Sequence, residues 1–186
     1  MKKSLFLLFL TTVFCFHTQA QIAFPQDFRL EPQLLSEMVI AEIPEEYHSE
    51  GITDNPAVTK DQSVIRMMSD LDNDDIIQIY YEIYQGIVDE RDDAGVIVSE
   101  FVSKEALHNC LSDLKSQGNL GYLTKDNYLI QIWSDSSKHR QEHLDKMVNY
   151  YQNKLQAEIY KIGEDTIYED GQAVEEIDIT EEAETL

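Results

Sequence analysis

Between Val96 and Ile162 the spacing of apolar residues switches between the two-residue repeat of a strand and the three-to-four-residue repeat of a helix, and this restricts the fold more than any other feature. Val96 to Val102 reads as a strand. Ser103 is a good N-cap for a helix that carries Leu107, Cys110, Leu111 and Leu114 on one face and ends at Gly118. Leu120 to Leu123 and Tyr128 to Trp133 are two strands joined at Thr124-Lys125-Asp126-Asn127, a turn-rich tetrapeptide, and so form a hairpin. A long helix starts at Asp135, Ser136 or Ser137 with Leu144, Met147, Val148, Tyr151 and Leu155 as its stripe, and Ala157 to Ile162 alternates like a last strand. The order β-α-β-β-α-β over residues 96–162 predicts an α+β fold of ferredoxin-like type, one antiparallel sheet with two helices on one face.

Residues 21–93 read as a mostly helical N-terminal region. All four prolines fall at Pro25, Pro32, Pro44 and Pro56, and between the second and third Leu34, Leu35, Met38 and Val39 recur at helical spacing. Thr59 is placed to cap a helix carrying Val64, Ile65, Met67, Met68 and Leu71. Asp72 and Asn73 then suit an N-cap, and Asp74 and Asp75 suit the first turn, of a helix from Asp74 to about Arg91 with Ile76, Tyr80, Ile83 and Ile87 on one face. The stretch Ile76 to Tyr84 is also rich in β-branched and aromatic residues, as a buried strand would be; the caps favour the helix.

The chain opens with Lys2 and Lys3, an apolar run of 12 residues from Leu5 to Phe16, and Thr18-Gln19-Ala20 before Gln21. That is the pattern of a secretory signal peptide over residues 1–20, and a spanning helix would need about 20 apolar residues. Phe14 stands before Cys15 where a lipoprotein leader has a small residue, so no lipid anchor is expected. The expected location is secreted or periplasmic. Only Cys110 remains after cleavage, which rules out an intrachain disulfide and leaves stability to a packed core.

The net charge is −22, or −24 without the two-lysine leader. Such a surface repels nucleic acid and anionic membrane and favours solubility, cationic partners or divalent metal. From Gly163 the composition changes: Glu164 to Leu186 holds ten acids and no Lys or Arg, and residues 163–186 read as an acidic disordered tail.

His139-Arg140-Gln141-Glu142-His143 has the H-x-x-E-H spelling of inverted zinc proteases, in which His139 and His143 would ligate metal while Glu142 activates water. That family needs a glutamate ligand far downstream and a larger domain, whereas only 43 residues follow His143. Polar residues on the exposed face of a long helix account for the spelling. Asp70-Leu71-Asp72-Asn73-Asp74-Asp75 begins like a calcium loop, but Asp75 and Tyr81 stand where an EF-hand has Gly and the bidentate Glu. Cys110 lies on an apolar stripe and reads as core. No Gly-rich phosphate loop or nucleophile elbow is present, and neither catalysis nor a cofactor is expected.

The remaining candidate is the sheet. Gln131 and Trp133 share one face of their strand, and with one of Tyr122 or Leu123 alongside, Tyr122 being the candidate taken, they would form an aromatic binding platform if that face carries no helices. Val98-Ser99-Glu100-Phe101-Val102-Ser103-Lys104-Glu105-Ala106 and Asn127-Tyr128-Leu129-Ile130-Gln131-Ile132-Trp133-Ser134 resemble the strand-into-helix opening and the third strand of bacterial SPOR domains. The resemblance implies binding of peptidoglycan glycan strands on the exposed sheet face, near Gln131 and Trp133. The sequence departs from the family in lacking the usual Gln and Gly of the first strand, in having Glu100 within that phrase, and in its long second helix. The leading expectation is an exported, non-enzymatic binding protein with a protein partner, a cationic one on grounds of charge. The alternatives are a SPOR-like glycan-binding module and a metal-dependent hydrolase using His139, Glu142 and His143.

Overall fold

The computed structural model describes residues 22–31, 33–115 and 117–163, and the backbone of 166–169 and 172–175. The expected leader, residues 1–20, lies outside the described residues. A 3-10 turn at Gln26–Phe28 leads into strand β1 (Met38–Ile40), helix α1 (Glu45–His48), strand β2 (Ala57–Thr59) and helix α2 (Gln62–Ser69). The long strands β3 (Ile76–Gly86) and β4 (Asp93–Phe101) follow, then helix α3 (Lys104–Leu111) and the hairpin β5 (Leu120–Lys125) and β6 (Tyr128–Ser134). Helix α4 (Arg140–Leu155) and strands β7 (Glu158–Ile162), β8 (Thr166–Glu169) and β9 (Gln172–Glu175) complete the described chain. Among the described residues nine strands form one sheet, in the order β1-β3-β4-β6-β5-β7-β8-β9, with β2 also against β3. Every pairing is antiparallel. No described helix is long and apolar enough to cross a membrane.

This corrects the ferredoxin-like expectation. The elements from β4 to β7 do occur in the order β-α-β-β-α-β, and β6 does insert between β4 and β5. The outer edge of β4, where a ferredoxin-like sheet places its last strand, is taken by β3. Strand β7 therefore lies beyond β5, on the opposite side of the sheet. Crossovers between parallel strands are right-handed. β4 to β5 and β6 to β7 move sideways in the same direction from strands that run in opposite directions, so right-handedness sends α3 and α4 to opposite faces. The packing agrees: Leu144, Met147 and Tyr151 of α4 lie with Val96, Val98, Ile130 and Ile132, whereas Leu107 and Cys110 of α3 lie with Ile97, Phe101 and Leu129. The two sets alternate along β4 and β6, as a strand with both faces buried requires.

The mostly helical N-terminal region is corrected too. Residues 76–86 form β3, not a helix. Tyr80 and Tyr84 face α4 while Ile79 and Tyr81 face α2 and α3, so both parities carry large apolar residues and the two-residue alternation disappears. Asn73 does not cap a helix. Its Oδ1 accepts from Asp75 N at 2.8 Å and its carbonyl accepts from Ile76 N at 3.3 Å, which closes a turn into the strand. Leu34 and Leu35 fall in a bend, and Met38 and Val39 belong to β1, paired with Gly86 and Gln85. The α2 cap is Asp61, which accepts from Ser63 N and Val64 N, two residues beyond Thr59.

Ser103 caps α3 through Ala106 N at 3.1 Å, as its sequence position predicts, although the helix ends at Leu111 rather than Gly118. The β5–β6 turn is Asp126-Asn127, with Asp126 at φ 53°, a left-handed conformation that Asp tolerates. Within the predicted acidic tail, β8 pairs with β7 and β9 with β8; residues 176–186 lie outside the described residues. The segment before β1 packs on the α4 face, where Phe28, Leu30 and Leu35 join the core beside Met38 of β1, and Phe24 stacks on Tyr128 with ring centroids 5.8 Å apart. We call it the N-terminal strap.

Candidate functional site

The strap meets the start of α4 at the histidine pair. Ser134 ends β6, a short loop follows, and Ser136 Oγ accepts from His139 N at 3.1 Å to open the helix. One turn of helix then sets His139 and His143 face to face, with ring centroids 5.6 Å apart. His143 is wholly buried, which corrects its expected place on the exposed face of the helix. Its Nε2 lies 2.9 Å from the Ser36 carbonyl oxygen, which only accepts, so Nε2 carries the proton, and Nδ1 accepts from the Ser134 hydroxyl at 3.1 Å. Burial holds the imidazole below its ordinary pKa of 6.5.

Around this centre the strap is fastened by charge. Ser36 Oγ donates to Glu142 at 2.9 Å and accepts from Lys146 at 2.8 Å, and Lys138 lies 3.1 Å from Glu37. Glu142 also pairs with Lys146 at 2.6 Å and with His139 Nδ1 at 2.9 Å. Hydrogen bonds from Lys146, Ser36 and His139 pull its carboxyl down to about 2. His139 borders a cavity of about 20 Å³ shared with Ser36, Glu37, Asp92 and Ser136, room for about one water.

The structure thus brings His139, Glu142 and His143 together, but in a joint. Both nitrogens of His143 are engaged, and Glu142 is held in an ion pair, so the trio does not offer two imidazole lone pairs to one point with a free base beside them. Among the described residues no group of three or more His, Cys, Asp or Glu is arranged to hold a metal ion. The acidic run of the calcium-like loop is turned to local pairing. Arg66 bridges Asp72 and Asp74, and Lys115 pairs with Asp70.

Gln131 and Trp133 share a face, as their spacing predicts, and the register pairs Tyr122, not Leu123, with Gln131 across β5 and β6. The face is not open. α2 and α3 lie over it, Tyr122 and Gln131 are buried, and burial pushes the Tyr122 hydroxyl up to about 12. Trp133 is half-buried, and its Nε1 donates to Asp93 Oδ1 at 3.0 Å across Gly95. The three residues are therefore part of a core, not an exposed aromatic platform. Cys110 is buried beside them, and burial raises its thiol pKa.

Two features are not visible in the sequence reading. The first is Glu82, a buried carboxylate on β3 that accepts from Tyr80 at 2.6 Å, Tyr84 at 2.8 Å and Leu30 N at 3.0 Å. It ties the strap to the sheet, while Tyr151 donates to the Phe28 carbonyl at 2.6 Å from the other side. A polar residue flanked at i−2 and i+2 by tyrosines was the available signal, hidden once the segment was read as helical. The second is the β3–β4 turn, where Ile87 and Val88 stand 62 % and 81 % exposed. No protein-family model matches the chain, and no curated protein or solved structure matches it.

Proposed function

We propose that the chain is an exported, non-enzymatic binding protein that engages a cationic protein partner through complementary charge. The observation that supports this reading is how its few cations are used. Against 36 acids the chain has 14 lysines and arginines. Arg66, Arg91, Lys115, Lys138 and Lys146 each already face a carboxylate of this chain. Local pairing therefore leaves the large negative surplus in place, and the resulting field speeds encounter with positive surfaces and weakens with salt.

Two measurements test it. N-terminal sequencing of the chain recovered outside the cytoplasm is expected to begin at Gln21; a cytoplasmic chain that still begins at Met1 overturns export. A small basic protein such as cytochrome c, titrated into the exported chain, is expected to bind at low salt and to lose most of its affinity by about 0.2 M salt, where the screening length is under about 8 Å. No association at low salt removes the reason for a cationic partner.

A further inference from the structure

We propose that Gln21 is a modification site: once the leader is cut after Ala20, the new N-terminal glutamine closes on itself to a pyroglutamyl lactam, and the exported chain carries no free α-amine. This rests on the export reading and adds the chemistry of the end that export creates. The leader ends Thr18-Gln19-Ala20, with a small residue at the cut and Gln21 directly after it. Glutamine has the length that sets its own Cδ a five-membered ring away from the α-nitrogen. Asparagine, one methylene shorter, would have to close a four-membered ring.

The step needs no oxidant, reductant or co-reactant. The α-nitrogen attacks Cδ, the N–Cδ bond forms, the Cδ–Nε2 bond breaks, and the amide nitrogen leaves as ammonia with one proton from the α-amine. The attacking form is the neutral amine, and an α-amino pKa of about 8 leaves a working fraction of it at neutral pH. Holding both groups in one residue gives the attack the advantage of an intramolecular reaction. Before the cut the same nitrogen is a peptide nitrogen, so closure waits for cleavage.

The strap gives the lactam a task. Gln21 lies outside the described residues, but the strap is fastened from the residue that follows it. Ile22 and Phe24 pack against the core on the α4 face. Ala23 N donates to Asp27 Oδ2 at 2.7 Å, Asp27 N donates to the Ala23 carbonyl at 2.9 Å, and Phe28 N donates to the Pro25 carbonyl at 2.9 Å. An aminopeptidase, which grips a free α-ammonium, would take Ile22 in its second step and the Ala23–Asp27 pair in its third. The lactam has no ammonium to grip, and it removes the positive charge of the new end.

The test compares the wild type with Q21N, each freshly recovered outside the cytoplasm, by tandem mass spectrometry of the N-terminal peptide. The wild-type peptide is expected to begin at position 21, one ammonia lighter than the encoded sequence, and to give no Edman signal until pyroglutamate aminopeptidase exposes Ile22. The Q21N peptide is expected to have its encoded mass and a free amine. When both folded chains meet a broad-specificity aminopeptidase, Q21N is expected to shorten through Ala23 and the wild type to stay intact. A wild-type peptide that begins at Gln21 with its encoded mass, or one that begins at another residue beyond the leader, overturns the lactam and leaves export standing. A cytoplasmic chain that begins at Met1 overturns both. Equal resistance of the two chains, with the lactam present in the wild type alone, overturns its protective task.

Discussion

His143 and Ser36, 107 residues apart in sequence, are joined by a hydrogen bond of 2.9 Å from the buried imidazole to the strap's backbone carbonyl. Stability is therefore expected to fall as the medium is acidified through the ordinary histidine range. The folded pKa lies below 6.5, so between the two values the unfolded chain takes up a proton that the folded chain refuses. The stabilising term is complete above 6.5, shrinks as pH falls from 6.5 to the folded pKa, and is constant below it. His139, Glu142 and Lys146 act on the ring from its own helix, and Ser134 and Ser36 from β6 and the strap. Glu142 and Glu37, with depressed pKa values, lose their contributions only at lower pH, below the ordinary 4.5. Urea unfolding at pH 7.5 and 5.5 isolates the histidine: the wild type is expected to lose stability over this interval and His143→Gln to lose markedly less. Equal slopes in the two chains would refute the assignment.

Glu82 gathers two tyrosine hydroxyls and the Leu30 amide on one buried carboxylate. Glu82→Leu leaves all three donors without an acceptor and is expected to cost about 3–5 kcal/mol in urea unfolding. Tyr84→Phe removes a single hydroxyl and is expected to cost about 1 kcal/mol. The strap should feel the first change most, so limited proteolysis of Glu82→Leu is expected to cut within residues 22–37 before the sheet is attacked. A variant with wild-type urea midpoint and wild-type cleavage would show that the network contributes nothing.

Much of this was legible from the residues, and the part that was not has one source. Ser103 as a cap, the hairpin through Thr124-Lys125-Asp126-Asn127, whose turn narrows to Asp126-Asn127, and the α4 stripe through Leu144, Met147, Val148, Tyr151 and Leu155 are local signals that appear where their chemistry places them. Strand β3 is different. Packed on both faces, it has no clean alternation, and Ile76, Tyr80, Ile83 and Ile87 satisfy a helical spacing only because both parities of the strand carry large apolar residues. Reading it as a helix leaves the β4 edge free for β7, places both long helices on one face, and opens the other to Tyr122, Gln131 and Trp133. The shared face of Gln131 and Trp133 was readable because alternation is local to one strand, whereas the choice of Tyr122 over Leu123 beside them waits on the hairpin register. Their cover was not, because it depends on which of two edges β7, far downstream of β4 in the chain, takes. Ile87 was misplaced for the same reason, as part of a helical stripe instead of a turn, and Val88 with it inside the same expected helix.

Gly95 lies beneath the Trp133 ring, and a methyl group there would stand 2.5 Å from Trp133 Cη2 and 2.5 Å from the Glu82 carbonyl oxygen. Neither neighbour yields readily, since the carbonyl is β3 backbone and the indole is tied to Asp93. Gly95→Ala is expected to cost about 1–3 kcal/mol. It is also expected to shift tryptophan emission to the red, because the ring must move toward solvent; Trp133 is the chain's single tryptophan, so the signal is unambiguous. Unchanged emission together with unchanged stability would mean that the contact is soft.

Asp93 is the one described carboxylate held above its ordinary pKa, chiefly by burial, with Asp135 and Asp92 adding repulsion and the Trp133 indole opposing both. A raised carboxyl pKa means that the folded chain binds the proton more tightly than the unfolded chain does. Stability is therefore lost as pH rises from 3.8 through the folded value, and the full penalty is present at neutral pH. Asp93→Asn removes the charge and keeps an oxygen to accept from Trp133. The variant is expected to melt above the wild type at pH 7, with unchanged emission, and the gap is expected to close as pH falls below 3.8, where the wild-type side chain is itself neutral. A variant that melts lower at pH 7 would show that the charged form makes a favourable contact outweighing its burial, and would reverse the sign assigned to this corner of the β4–β6 ladder.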